Sequence, residues 1–305
     1  MSLYLKYRPP TLDEIIGNKA LVSSLKGMLE DTSTCPHSFL FHGSTGCGKT
    51  TIGRIVANEL GAKGMDIVEV DSADFRGIDT IRDIRKKAQY RPLESSCRVW
   101  IIDECHKMTN DAQNALLKIL EDTPNHVYFI LCTTDPQKLI PTIKGRCSQF
   151  QVTPLDERSM KKLLRQVAKA EGESLERDVL NQIILDSLGL PRNALQILDQ
   201  VLRTEPEKRL EAAMKVAEKQ SQSIELCRVL MSFKPTWEEV KEILNGLKSE
   251  DPESIRRHVL GYCQAVLLKK DNRKAAMIIE EFIEPFYNSG FPGLVFACYS
   301  IVKEG

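Results

Sequence analysis

The thirteen residues Ser38–Thr50, S-F-L-F-H-G-S-T-G-C-G-K-T, leave this chain few folds to choose from. The run opens apolar and ends at Gly43, which predicts a short buried strand feeding a phosphate loop. Gly43, Ser44, Thr45, Gly46, Cys47, Gly48, Lys49 and Thr50 satisfy the pattern G-x-x-x-x-G-K-[ST]. Its glycines allow main-chain N–H groups to converge on anionic oxygens. Lys49 can reach the outer phosphates, the Thr50 hydroxyl can ligate magnesium, and Thr51 is counted with the site. Ile52, Ile55, Val56 and Leu60 then recur at helical spacing, which sets a helix N-terminus beneath the phosphates. A chance glycine turn would lack this strand–loop–helix context.

The same alternation continues. Strands are expected at 67–70, 98–103 and 127–134, and helices at 78–88 and 111–121. Unbroken apolar strands between helices imply a parallel sheet covered on both faces, with ligand at the carboxyl ends of the strands. Beyond Pro154 the pattern is helical only, at about 156–171, 175–187 and 191–203, then to the C-terminus. The expected class is α/β followed by all-α, with domains at 1–154, 155–204 and 205–305. No fixed-period repeat is visible.

Forty-two basic residues balance 42 acidic ones, so contact with a polyanion requires a local patch. No apolar run approaches the roughly 20 residues that span a bilayer, and M-S-L-Y-L-K-Y-R-P-P has no signal-peptide core, so a cytoplasmic location is expected. The nine scattered cysteines form no C-x-x-C pair and predict neither a disulfide framework nor a zinc knuckle. Asp103 and Glu104 end an apolar strand. Beside a phosphate loop, such a pair can hold magnesium through water and orient an attacking water; by itself it would be a capping pair at a turn. His106 shows no partner in the sequence, and Trp100 is expected in the core.

The order and spacing of K-Y-R-P (6–9), I-I-G-N (15–18), the phosphate loop, D-E-C-H (103–106), N-A-L-L-K-I-L-E (114–121), T-T-D-P-Q-K-L (133–139), G-R-C (145–147) and G-L-P-R-N-A-L (189–195) resemble the ATPase subunits of sliding-clamp loaders. Within that AAA+ group the bacterial gamma/tau subunit is the nearer likeness and the small subunits of replication factor C the more distant. The resemblance covers the first 200 residues. It implies an AAA+ parallel sheet, a small helical lid domain and a C-terminal helical collar.

It further implies ATP and Mg2+ as ligands, with Tyr7, Arg8, Ile16 and Gly17 in the adenine pocket. Lys49, Asp103 and Glu104 would be catalytic, with Thr50 and Asp103 on the metal. Thr134 matches sensor 1, with Thr133 as the alternative register. Pro191 and Arg192 match sensor 2, and Arg146 matches an arginine finger aimed at a neighbouring subunit's nucleotide. Implied partners are primer-template DNA, a sliding clamp and further loader subunits in a pentamer. A nucleotide-holding scaffold without turnover and a related helicase or recombination motor remain rival readings.

Two departures stand out. Gly145 replaces the family's usual serine before the finger, which puts the finger's aim in doubt. The four-cysteine zinc module of the bacterial relatives is also missing, since Cys97 alone lies between Thr50 and Asp103. No zinc is expected, and a phage or mobile-element origin is left open. For DNA, the stretch from Arg76 to Arg91 carries a local excess of four positive charges. Arg82, Arg85 and Lys86 share one helix face. Charge alone favours a solvated face there; the resemblance makes Arg76, Arg82, Arg85, Lys86 and Lys118 candidates for sequence-independent phosphate contacts.

Overall fold

The computed structural model describes residues 1–31, 34–72, 77–210, 212–213, 222–248, 250–269, 271–287 and 289–304. The chain divides into two compact units, Met1–Arg209 and Leu210–Gly305.

Five parallel strands form the sheet of the first unit: β1 Ser38–His42, β2 Ile67–Asp71, β3 Arg98–Asp103, β4 Val127–Thr133 and β5 Ser148–Gln151, in the order β2-β3-β4-β1-β5. Alternate strand residues serve opposite layers. Phe39, Phe41, Val99, Ile101, Ile130 and Cys132 pack with helices Lys19–Leu29 and Lys49–Glu59. Leu40, Trp100, Ile102, Phe129 and Leu131 pack with helices Ile78–Ala88 and Asn110–Glu121. Strands served on both faces can be apolar throughout, which is why they were legible as continuous runs. Strand β5, S-Q-F-Q, was not expected: only Phe150 is buried there, and one apolar residue makes no pattern.

A buried clasp fixes the edge near β2. The Asp66 carboxylate accepts from the amides of Leu93, Glu94 and Ser95 and from the Arg98 guanidinium, the last at 3.1 Å. Burial alone would raise the acid's pKa, but these four donors outweigh it and hold the value down at about 2.

Helices Glu157–Ala170, Arg177–Ser187 and Pro191–Leu202 complete the first unit. The second unit has five helices of ten residues or more among its described residues, at Gln222–Met231, Trp237–Gly246, Pro252–Lys269, Arg273–Phe282 and Gly290–Glu304. Their core gathers Leu226, Leu230, Ile243, Val259, Ile278, Phe282 and Leu294. All nine cysteines are free and buried, as small apolar residues would be.

Candidate active site

Strand β1 ends beside the sheet's switch point and delivers the phosphate loop. Gly43 adopts φ 151°, and a Cβ there would stand 2.1 Å from the Val152 carbonyl oxygen, so only glycine fits. Gly46 and Gly48, at φ 79° and 106°, turn the loop into helix Lys49–Glu59. The buried Lys49 donates from Nζ to the Gly43 and Ser44 carbonyls, each at 3.0 Å. A polyphosphate entering this cradle would supply stronger, charged acceptors for the same ammonium.

Strand β3 ends against the loop. Thr50 Oγ1 donates to Asp103 Oδ2 at 2.7 Å, and the Glu104 amide donates to Asp103 Oδ1 at 2.9 Å. Glu104 itself occupies the left-handed region at φ 47°. The adjacent threonines at the end of β4 divide the work. Thr134 Oγ1 donates to Glu104 Oε2 at 3.1 Å, whereas the buried Thr133 Oγ1 accepts from the Asp135 amide and meets His106 Nδ1 at 3.1 Å. His106 Nδ1 is also 3.2 Å from Glu104 Oε2. The sequence offered this histidine no partner; the fold gives it two. Burial lowers its pKa, and the Glu104 carboxylate pulls the other way.

A cavity of about 350 Å³ lies above this chemistry. Tyr7, Arg8 and Ile16 from the N-terminal arm line it, with Thr45–Thr51, Asp103 and Glu104 along another wall and Pro191 and Arg192 closing it. Tyr7 donates its hydroxyl to Glu171, which also pairs with Lys6 at 2.7 Å; the hydrogen bond to that carboxylate raises the tyrosine's pKa. Gly17, at φ 77°, is not on the cavity wall; a Cβ there would stand 2.5 Å from a Leu155 methyl. Asn18 brackets Thr153 with three hydrogen bonds of 3.0 Å. The Arg192 amide approaches the Gly46 carbonyl at 3.4 Å, and its guanidinium carbon stands 5.9 Å from the Tyr4 ring centroid.

The other sequence candidates lie elsewhere. Arg146 is absent from the cavity wall; it pairs with Glu121 and donates to the Thr142 carbonyl at 3.2 Å. Gly145 before it is not demanded by space, because a Cβ there would meet nothing within 4 Å. Arg82 pairs with Asp79 at 3.0 Å and is 62% exposed. Arg85, Lys86 and Lys118 are exposed on the neighbouring helices Ile78–Ala88 and Asn110–Glu121, whereas Arg76 falls outside the described residues. Sequence reading missed the wall supplied by Leu163, Gln166 and Val167, which one helix turns toward the cavity. It also missed Tyr4 and Glu171, which no motif marks.

The residues suit the groups that the phosphate-loop pattern implies. A hydroxyl and a carboxylate oxygen converge at a strand end, a hard-donor set that magnesium takes together with substrate phosphates. Gly43 leaves the backbone clear where a side chain would fill the cradle. A five-stranded parallel sheet with this loop beneath helical lid elements defines the AAA+ P-loop fold.

Comparisons with known proteins place relatives beside the chain at the levels of sequence and fold. Residues 62–156 match the family described as DNA polymerase III, delta subunit. The chain is 37% identical over 225 residues to DNA polymerase III subunit gamma/tau of Mycobacterium tuberculosis, covering 66% of this chain and 39% of that protein. It is 32% identical over 218 residues to the tau subunit of Escherichia coli, covering 65% and 34%. It is equally identical to the gamma subunit of Buchnera aphidicola, covering 65% and 60%. The chain thus spans about two fifths of the length of the mycobacterial relative. Among solved structures, the Thermotoga maritima RuvB Holliday junction branch migration motor superposes with a TM-score of 0.60 at 20% identity, over 74% of this chain and 79% of that one, a likeness of fold. The relatives named are gamma and tau subunits of DNA polymerase III, the group that the sequence motifs resemble. The relatives named are bacterial, and a phage or mobile-element origin is not shown. No helix among the described residues is long and apolar enough to cross a membrane.

Proposed function

We propose that the chain is an ATP-hydrolysing subunit of a clamp loader, acting in the cytoplasm to open a ring-shaped sliding clamp and place it on primer-template DNA. The reading rests on its similarity to gamma/tau subunits and on one geometric observation: Thr50, at the start of the helix after the phosphate loop, forms a continuous hydrogen-bonded chain with Asp103, Glu104 and Thr134 at the ends of β3 and β4.

Lys49 exchanges its two carbonyl partners for outer phosphate oxygens. Thr50 and Asp103 would hold magnesium, which supplies charge neutralisation on the phosphates. Glu104 orients and deprotonates the attacking water, and Thr134 fixes the carboxylate's direction as sensor 1. Tyr7, Arg8 and Ile16 hold the base. Arg192 reads the phosphate end from the lid and links nucleotide state to lid angle. Products are ADP and phosphate.

Arg146 acts in trans on a neighbouring subunit's nucleotide. Its pairing with Glu121 supports this, because the two side chains are 36% and 42% exposed and such a pair contributes only about 0–1 kcal/mol, leaving the guanidinium easily transferred. Arg82, Arg85, Lys86 and Lys118, on two packed helices, grip the DNA backbone, with Arg76 as a further candidate. The C-terminal unit serves as the collar of a pentamer; exposed Phe233, Leu268, Ile283, Tyr287 and Phe296 suit a surface that is covered on assembly.

The test is complementation. Arg146→Ala should bind ATP normally yet lose on the order of 10³-fold in DNA-stimulated turnover. Mixing it with Lys49→Ala should restore part of the activity, since each supplies what the other lacks. A strictly monomeric preparation hydrolysing ATP at full rate, with or without primed DNA and clamp, would refute the reading.

A further inference from the structure

Helix Glu157–Ala170 has two working sides. Leu163, Gln166 and Val167 line the nucleotide cavity. Away from it, Arg158, Lys161, Lys162 and Arg165, with the single acid Glu157, line a groove of about 650 Å³, and at about 3.6 residues per turn Lys169 prolongs the row. Met160, Leu164, Val167 and Ala168 are the residues this helix buries, so the cations occupy an outer stripe. Arg158, Lys162, Arg165 and Lys169 are exposed. Local counter-charge is thin. Glu157 pairs with Lys161, and Asp156, which lies close enough to Arg158 to feel its charge, is engaged as the helix cap on the Ser159 amide at 2.8 Å.

What the stripe lacks identifies its partner. No large apolar side chain between 156 and 173 is exposed, whereas protein interfaces draw their affinity from buried aromatic and apolar anchors. A row of cations without such an anchor suits a partner that presents evenly spaced charge. From Arg158 to Lys169 the row extends about 16 Å at about 1.5 Å per residue. That length covers about five phosphates of one strand of a duplex, counted at about 3.4 Å of helix axis apiece.

We propose that this row binds the phosphate backbone of a nucleic acid, without sequence preference, as a contact separate from Arg82, Arg85, Lys86 and Lys118. The contact does not depend on the clamp-loading reading.

The test uses the whole chain and fluorescent oligonucleotides, single-stranded and duplex, with anisotropy followed from 50 to 200 mM salt. Replacing Arg158, Lys162, Arg165 and Lys169 by Gln should weaken binding on the order of 10–100-fold at the lowest salt. The log–log salt slope should become shallower by about 3, from four contacts at about 0.7 each on a single strand or about 0.9 each on duplex. The steeper change identifies duplex as the substrate and the shallower one a single strand. Unchanged ATP affinity certifies that the variant is folded. Photo-crosslinking of the unaltered chain should place the strand on residues 158–169, while neutralising Arg82, Arg85, Lys86 and Lys118 should leave that crosslink in place. Unchanged affinity and slope with no crosslink in this helix would overturn the proposal. So would displacement of the strand by polyglutamate as efficiently as by polyphosphate of equal charge, which would mark the row as a site for acidic protein.

Discussion

The strand-end site of the first compact unit and the buried ion pair of the second hold their charged groups in different ways. In Met1–Arg209 the buried or half-buried charges at the strand ends, Lys49, Asp103 and Glu104, are held by threonine hydroxyls, a backbone amide and loop carbonyls that a ligand could replace. In Leu210–Gly305 the buried Glu253 is committed to Arg256 and the Phe286 amide, and Arg256 also caps the Phe282 and Ile283 carbonyls at 3.0 Å. One arrangement is provisional and the other closed. Polar groups left exchangeable mark a working site, while polar groups fully consumed by their own fold mark a brace.

Four substitutions would sharpen or break that contrast. The largest effect is expected for Lys49→Ala, which should weaken ATP binding on the order of 10³-fold, since it removes the charged contact to the outer phosphates. Titration calorimetry reads the loss, and hydrogen exchange across 222–304 should not change; a variant that still bound ATP with native affinity would mean the cradle is ornamental. Next comes Asp66→Asn, which takes the buried countercharge from Arg98 and leaves the guanidinium only the Lys87 and Arg91 carbonyls. It should cost about 3–5 kcal/mol in urea unfolding, with protection lost over 91–98. The same carboxylate sets a pH window. Because its folded pKa is depressed from 3.8 to about 2, its contribution is complete above pH 4 and disappears as the pH falls toward 2.

Glu253→Gln should cost less, about 1–3 kcal/mol, because its carboxylate accepts from one backbone amide where that of Asp66 accepts from three. ATP affinity should stay unchanged; a drop would show that the second unit governs the nucleotide site. Smallest is Gly145→Ser, expected within about 0.5 kcal/mol by thermal unfolding because the space is open. A large destabilisation would show that backbone freedom at Gly145 matters to the turn carrying Arg146.

The same contrast explains what could be read in advance. Motifs at 43–50 and 103–104 are legible because phosphate chemistry restricts residue type and order together. Strands β1, β3 and β4 announced themselves by apolar runs, and β2 by the shorter I-V-E-V. β5 could not, because its neighbour β1 supplies most of its reason for existing and Phe150 alone its packing. The pairing of His106 with Glu104 and Thr133, and the clasp of Asp66 on Arg98, join residues 2 to 32 positions apart through folding alone. No local spacing encodes them. The cavity wall at Leu163 and Val167 looked like any amphipathic helix face until a second element lay opposite. In the C-terminal unit, amphipathic periodicity gave helices but no chemistry.

Glu104 holds a left-handed backbone, which for a residue with a β-carbon costs roughly 1–2 kcal/mol. Glycine at this position would relieve that cost while deleting the carboxylate. Under the proposed function that exchange would trade the group that acts on water for a more comfortable backbone.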